Sequence, residues 1–303
     1  MRKSFIFTKE EQRVKRKNIL LKIFTLCFCI CACTLFIISV EASEQNFKYD
    51  FPANASKVSV YRAGEKILDG ECAIINSVTY VPLRAFAENA DAQSISWSQS
   101  THTATVKKNG SEIKIKDGAS YVEANGRFFY APTGIINVND RLFVPVRAIS
   151  QALSLDVEWD AKTRSVLVTD SAAPLVSGAR FYNETDLYWL SRIISAEAAG
   201  EPLAGKIAIG NVVINRKNSP AYPNTIYGVI FDRKYGTQFS PVSFGTVYNS
   251  PTAESIIAAK ICLEGYSLSD EILFFVNPKL ATSNWISNNR PFVFRIGNHW
   301  FYG

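Results

Sequence analysis

The chain repeats itself, and the repeat is what most restricts its fold. "TYVPLRAFAENADAQSISWSQSTHTATV" at residues 79–106 aligns with "LFVPVRAISQALSLDVEWDAKTRSVLV" at 142–168. Pro82 matches Pro145, 63 residues on, and Trp97 matches Trp159, 62 residues on. Each copy reads as strand, Val-Pro, short helix, strand ending in Trp, turn, strand. Ala85 and Phe86 in one copy, and Ala148 and Ile149 in the other, give the short helices an apolar face. Units this small do not enclose a core alone, so two side by side are expected to share one. Residues 57–169 are therefore read as a duplicated β-rich module. Trp97 and Trp159 read as core residues at strand ends, with stacking on a sugar as the alternative.

At 303 residues and 47% hydrophobic, the chain is long enough for two packed domains plus a leader. The net charge of +6 is concentrated in that leader. Residues 1–42 hold eight Lys/Arg against three Glu, leaving 25 basic and 24 acidic residues elsewhere. No nucleic-acid partner is implied. A basic segment precedes an apolar run at 23–40, followed by Val40-Glu41-Ala42. This is a cleaved signal peptide or an uncleaved N-terminal membrane anchor, and both place the rest of the chain outside the cytoplasm. Four of six cysteines fall inside the leader; Cys72 and Cys262 remain. They read as two buried free thiols.

Residues 171–180 shift to small residues with Pro and Gly and are read as a linker. Beyond them the period turns helical, and 185–303 reads as a compact α+β domain with helices first. Leu187, Leu190, Ile193, Ile194 and Ala198 follow 3.6-residue spacing, with Thr185 as N-cap and Gly200 as C-cap. A second helix is predicted from Leu203 to about Lys217, and a short third from Thr225 to Phe231. A fourth opens with Pro251 in its first turn and closes at Gly265. Strands are predicted at 272–276 and 292–296.

Elimination narrows the chemistry. The only histidines are His102 and His299, so histidine-rich zinc sites are excluded and no metal or other cofactor is expected. Cys262 sits in the last turn of an apolar helix, where neither the dipole nor the surroundings favour a thiolate. No Gly-x-Ser-x-Gly elbow, P-loop or dinucleotide fingerprint occurs. Carboxylate chemistry remains, and Glu197 in "ISAEAAGEPLAGK" is the candidate. It closes an apolar helix beside Ile193, Ile194 and Ala198. A negative helix end and apolar neighbours both favour the protonated acid, the state needed to protonate a glycosidic oxygen. Glu201, before Pro202, reads as exposed, with capping or a supporting place in the cleft as its roles. Glu254, Glu264, Asp270, Glu271 and Asp232 read as surface acids, so no second catalytic carboxylate stands out. A one-acid mechanism fits that absence.

The blocks "ISAEAAGEPLAGKIAIGNVVINR", "SPAYPNTIYGVIF", "QFSPV", "FFVNPKLATSNWI" and "RIGNHWFY" stand in order between Leu187 and Tyr302. This pattern resembles the cell wall hydrolases of the SleB/CwlJ, spore-cortex-lytic, type. The resemblance implies a lysozyme-like domain that cuts peptidoglycan glycan strands, with Glu197 as its acid. It supports lytic transglycosylation, with muramidase hydrolysis or a non-catalytic envelope-binding protein as alternatives. Gln238, Phe239, Ser240, Asn277, Trp285 and His299 join Glu201 as substrate-binding candidates, His299 with a structural hydrogen bond as its plainer reading. The duplicated half resembles the copper amine oxidase N-terminal-like module of exported Gram-positive proteins. With His102 as its lone histidine it holds no copper site of the imidazole type, and a binding or spacer role is implied. The expected setting is the cell wall, the spore envelope or the outer face of the membrane.

Overall fold

The duplicated sequence folds as two matching runs of strand, helix and hairpin. The computed structural model describes residues 47–303, Tyr235 excepted. The leader, with its signal-or-anchor reading, lies outside the described residues. Strands β1 (Ser56–Arg62) and β2 (Glu65–Ile75) lead into the first copy. That copy is β3 (Val78–Pro82), α1 (Leu83–Asn89), β4 (Ser94–Ser98) and β5 (Thr103–Lys108). Four strands connect the copies: β6 (Ser111–Lys116), β7 (Tyr121–Ala124), β8 (Arg127–Tyr130) and β9 (Ile136–Val138). The second copy is β10 (Arg141–Pro145), α2 (Val146–Ala152), β11 (Leu155–Asp160) and β12 (Ser165–Asp170).

The copies meet at their equivalent strands. β3 and β10 pair antiparallel with Val81 opposite Val144, Pro82 opposite Phe143 and Tyr80 opposite Pro145. The seven-stranded sheet runs β11-β12-β1-β2-β3-β10-β9, and a five-stranded sheet runs β4-β5-β6-β7-β8. Alternation sets the faces: Ile113 and Ile115 of β6 are buried while Lys114 and Lys116 between and after them are exposed. Phe86, Val106, Val144, Ile149 and Val166 belong to one buried cluster, so the copies do share a core. The two tryptophans are not in it. Trp97 is 42% and Trp159 39% exposed, because β4 and β11 are edge strands with a neighbour on one side only. The core reading of both is corrected.

The helical part begins with α3 (Gly178–Phe181), α4 (Glu184–Ala198), α5 (Leu203–Asn218), α6 (Ile226–Ile230) and α7 (Ser240–Phe244). A 3₁₀ turn (Thr246–Tyr248), α8 (Ala253–Leu263), β13 (Phe274–Val276), α9 (Trp285–Asn289), β14 (Phe292–Ile296) and β15 (His299–Tyr302) complete it. The last three strands form a sheet in the order β13-β15-β14. Two helix starts differ from expectation. Asn183, not Thr185, caps α4 by accepting from Asp186 N at 3.0 Å. Thr252 caps α8 through Ser255 N at 3.2 Å, which leaves Pro251 outside the helix. Gly200 is not a left-handed cap; α4 ends through Ala199 in helical geometry.

Residues 47–303 form one compact unit. Tyr130 of β8 lies in the same buried cluster as Leu190 and Ile261 of the helical part, and Tyr121 and Phe128 pack against it. Arg127 of β8 donates to both Glu264 oxygens, at 2.9 and 2.5 Å, and Tyr182 Oη donates to the same carboxylate at 2.5 Å. Lys260 donates to the Gly126 carbonyl at 3.0 Å. In the segment 171–180, Gly178 N donates to Asn125 O at 2.9 Å. A Cβ at Gly178 would stand 2.5 Å from the Gly126 oxygen, so only glycine permits this approach. No helix among the described residues is long and apolar enough to cross a membrane.

Candidate active site

α4 is held by its apolar stripe. Leu190, Ile193, Ile194 and Ala198 are buried against α5, α6 and α8. Glu197 follows from that register: on the last turn, beside the stripe, it is half-buried. Burial pushes its carboxyl pKa up to about 7. The sequence expectation of a protonated acid thus has a physical cause in desolvation.

Glu201 is not exposed, as its place before Pro202 suggested, but 8% exposed. Its carboxylate accepts from Asn298 N at 3.1 Å and Asn298 Nδ2 at 2.9 Å. Burial alone would raise its pKa, but these two bonds, with His299 and Lys206 nearby, hold the carboxyl below the ordinary range. Lys206 is buried and donates to the Glu201 carbonyl and, at 2.6 Å, to Glu254. Glu201 therefore pins the β14–β15 turn onto the α4–α5 turn that follows Glu197. Gly297 makes this possible. It sits at φ +56°, and a Cβ there would overlap a Glu201 oxygen. Gly297→Ala is expected to destabilise the fold by about 2–4 kcal/mol, from left-handed strain and displaced buried hydrogen bonds. Denaturant unfolding measures it; a change within about 0.5 kcal/mol, as for a surface site, contradicts this packing.

His299 is buried, with Nδ1 3.7 Å from Glu201 Oε1. Burial lowers its pKa, Glu201 opposes, and the net shift is downward, so the imidazole is neutral at pH 7. Its ring meets Phe275 edge-on at 5.6 Å, and Phe275 lies 6.2 Å from Phe239. Phe275 thus links Phe239 to the His299–Glu201 pair. Phe239 is 1% exposed and borders Arg216; it supports the site from beneath. Gln238 is half-buried and donates to Gly236 O at 3.1 Å, and Ser240 is exposed at the start of α7. Asn277 follows β13 and accepts from Lys279 N at 3.1 Å. Trp285 is 53% exposed, its ring 5.5 Å from the Arg290 guanidinium. Cys262 is a buried free thiol whose pKa burial raises.

Sequence reasoning missed an aromatic cluster on the same helix. Trp189 of α4 packs edge-on against Tyr227 at 5.4 Å, Phe231 at 5.0 Å and Tyr248 at 6.0 Å. Tyr227 and Tyr248 are 50% and 58% exposed. The signal was Trp189 placed off the apolar stripe of α4. Trp189 precedes Glu197 by eight residues, about 12 Å along the helix axis.

Residues 200–302 match the family described as Cell Wall Hydrolase. The C-terminal domain belongs to the cell wall hydrolase family. The matched span begins at Gly200, after Glu197. Residues 61–168 match the family described as Copper amine oxidase N-terminal domain. The cell wall hydrolase domain has named relatives. A spore cortex-lytic enzyme of Bacillus subtilis (strain 168) is 38% identical over 120 residues, covering 40% of this chain and 38% of that protein. One from Oceanobacillus iheyensis is 34% identical over 128 residues, covering 42% of this chain and 45% of that protein. The chain thus spans less than half the length of these relatives. The solved catalytic domain of the germination-specific lytic transglycosylase SleB from Bacillus anthracis is 32% identical. That comparison covers 43% of this chain and all of that one, with a TM-score of 0.37.

Proposed function

We propose that this chain is an exported enzyme that cleaves the glycan strands of peptidoglycan by lytic transglycosylation, with Glu197 as its single acid and base. The observation that carries this reading is the placement of Glu197, a half-buried carboxyl on the last turn of α4 among apolar side chains. The cell wall hydrolase match and the spore cortex-lytic relatives support it.

In this reading Glu197 donates its proton to the oxygen bridging muramic acid C1 to the next sugar, and the C1–O bond breaks. The resulting carboxylate takes the proton of the muramic acid C6 hydroxyl, and O6 closes onto C1. The product is a 1,6-anhydro sugar, no water is consumed, and Glu197 ends protonated as it began. Glu201 and His299 act as positioning residues: Glu201 fixes the turn behind Glu197, and neutral His299 packs beside it. Tyr227 and Tyr248, with Trp285, offer exposed rings to pyranose faces. Gln238, Ser240 and Asn277 offer polar groups to hydroxyls. The substrate is spore cortex or vegetative wall, and the site of action is the envelope outside the membrane.

The pH profile tests the acid. A donor with a pKa of about 7 is protonated below that value and ionised above it. With purified peptidoglycan as substrate, kcat/KM is expected to fall about tenfold per pH unit above pH 7. On the acid side, activity holds until Glu201 protonates, below the ordinary carboxylate range. A rate constant to pH 9 contradicts Glu197 as the acid.

A further inference from the structure

We propose that the cleft between the duplicated module and the hydrolase domain is a second glycan-binding site, with Trp159 as its platform; its ligand class rests on the peptidoglycan reading above. The cleft encloses about 840 Å³, within the size range of small-molecule sites. Strand alternation turns Leu155, Val157 and Trp159 of β11 to one face, and all three line it. Arg147 and Gln151, four residues apart on α2, line it as well, as do Tyr266 and Ser267 beyond α8.

The two copies of the repeat differ at this point. The Trp97 indole is engaged: Nε1 donates to Gln99 Oε1 at 2.8 Å, and its ring meets His102 edge-on at 6.1 Å. The Trp159 indole has no hydrogen bond and no ring partner among the described residues, and the residue is 39% exposed. The copy whose indole is unoccupied is the one that faces the hydrolase domain.

The surrounding groups suit an N-acetylhexosamine strand. An indole face takes the apolar side of a pyranose. The Gln151 amide and the Ser267 hydroxyl are planar or compact partners for hydroxyl and acetamido groups. Arg147 is placed for a carboxylate on that strand, as on a muramic lactyl group or stem peptide. Both walls are already fixed, since the Arg127–Glu264–Tyr182 cluster ties them together beside the cleft. A strand held here raises the effective concentration of the same polymer at Glu197.

The test uses the full chain carrying Glu197→Gln, so that bound oligosaccharide survives, and calorimetric titration. One ligand is the tetramer of N-acetylglucosamine, the other a tetrasaccharide muropeptide. Two binding events are expected with the muropeptide. Adding Trp159→Ala weakens one of them at least about tenfold, while Trp159→Phe retains it and Trp97→Ala changes neither. Adding Arg147→Ala weakens the muropeptide and not the uncharged tetramer, separating carboxylate recognition from ring stacking. Equal stoichiometry and affinity with and without Trp159 overturns the proposal, even if the enzyme cleaves peptidoglycan. Two events, one of them dependent on Trp159, together with a wild-type chain that cleaves nothing, support it and sink the catalytic reading alone.

Discussion

Glu197→Gln is expected to lower glycan cleavage by about 10²- to 10⁴-fold, the usual contribution of a positioned general acid. The amide has the shape of the acid and no proton to give. The same substitution carries a stability signature that a merely damaged fold would not show. The folded-state pKa of Glu197 is raised to about 7 from an ordinary 4.5. Below the lower value both states are protonated and the site costs nothing. As pH rises toward 7 the unfolded chain ionises first, so folding stability falls, and it levels off above 7. The penalty then is about 3 kcal/mol. Glu197→Gln escapes it. The variant is expected to match the wild type at pH 4 and to melt several degrees higher at pH 8. An inactive variant that is less stable at pH 8 points to lost packing instead.

Arg127→Ala is expected to cost about 3–5 kcal/mol, because it leaves a buried carboxylate without its cation. Arg127 and Glu264 have side chains 13% and 5% exposed. The guanidinium also lies 3.6 Å from the Phe181 ring centroid, a contact the truncation removes. Replacing both partners, as Arg127→Met with Glu264→Leu, is expected to cost far less, since no charge is stranded. Denaturant unfolding followed by intrinsic fluorescence measures each variant. The wild type should unfold in one transition, and Arg127→Ala should separate the duplicated module from the helical part. A loss below about 1 kcal/mol, the level of an exposed ion pair, contradicts the junction.

Much of this architecture is readable from local pattern. The repeat unit carries its own order of strand, helix and hairpin, and the α4 stripe announces both the buried face and the position of Glu197. What escaped the sequence depends on partners distant along the chain. Glu201 looked exposed because Pro202 follows it, yet its partner Asn298 lies 97 residues on. The tryptophans looked like core because they repeat, but only sheet order makes β4 and β11 edges. The interdomain cleft rests on an ion pair between residues 137 positions apart. Cap choice was misread for a smaller reason: Asn183 and Thr185 both suit the role, and the structure uses the earlier. The strand β15 was hidden in "HWFY", too short to show alternation.

The central claim is that one acid, Glu197, cuts the strand without water. Mass spectrometry of the fragments released from purified cortex and vegetative peptidoglycan tests it most directly. The wild type should release muropeptides ending in 1,6-anhydro-muramic acid, and Glu197→Gln should release none. Reducing ends from the wild type would replace transglycosylation with muramidase hydrolysis. Equal product from both proteins, or none from either on every wall type, would contradict the account.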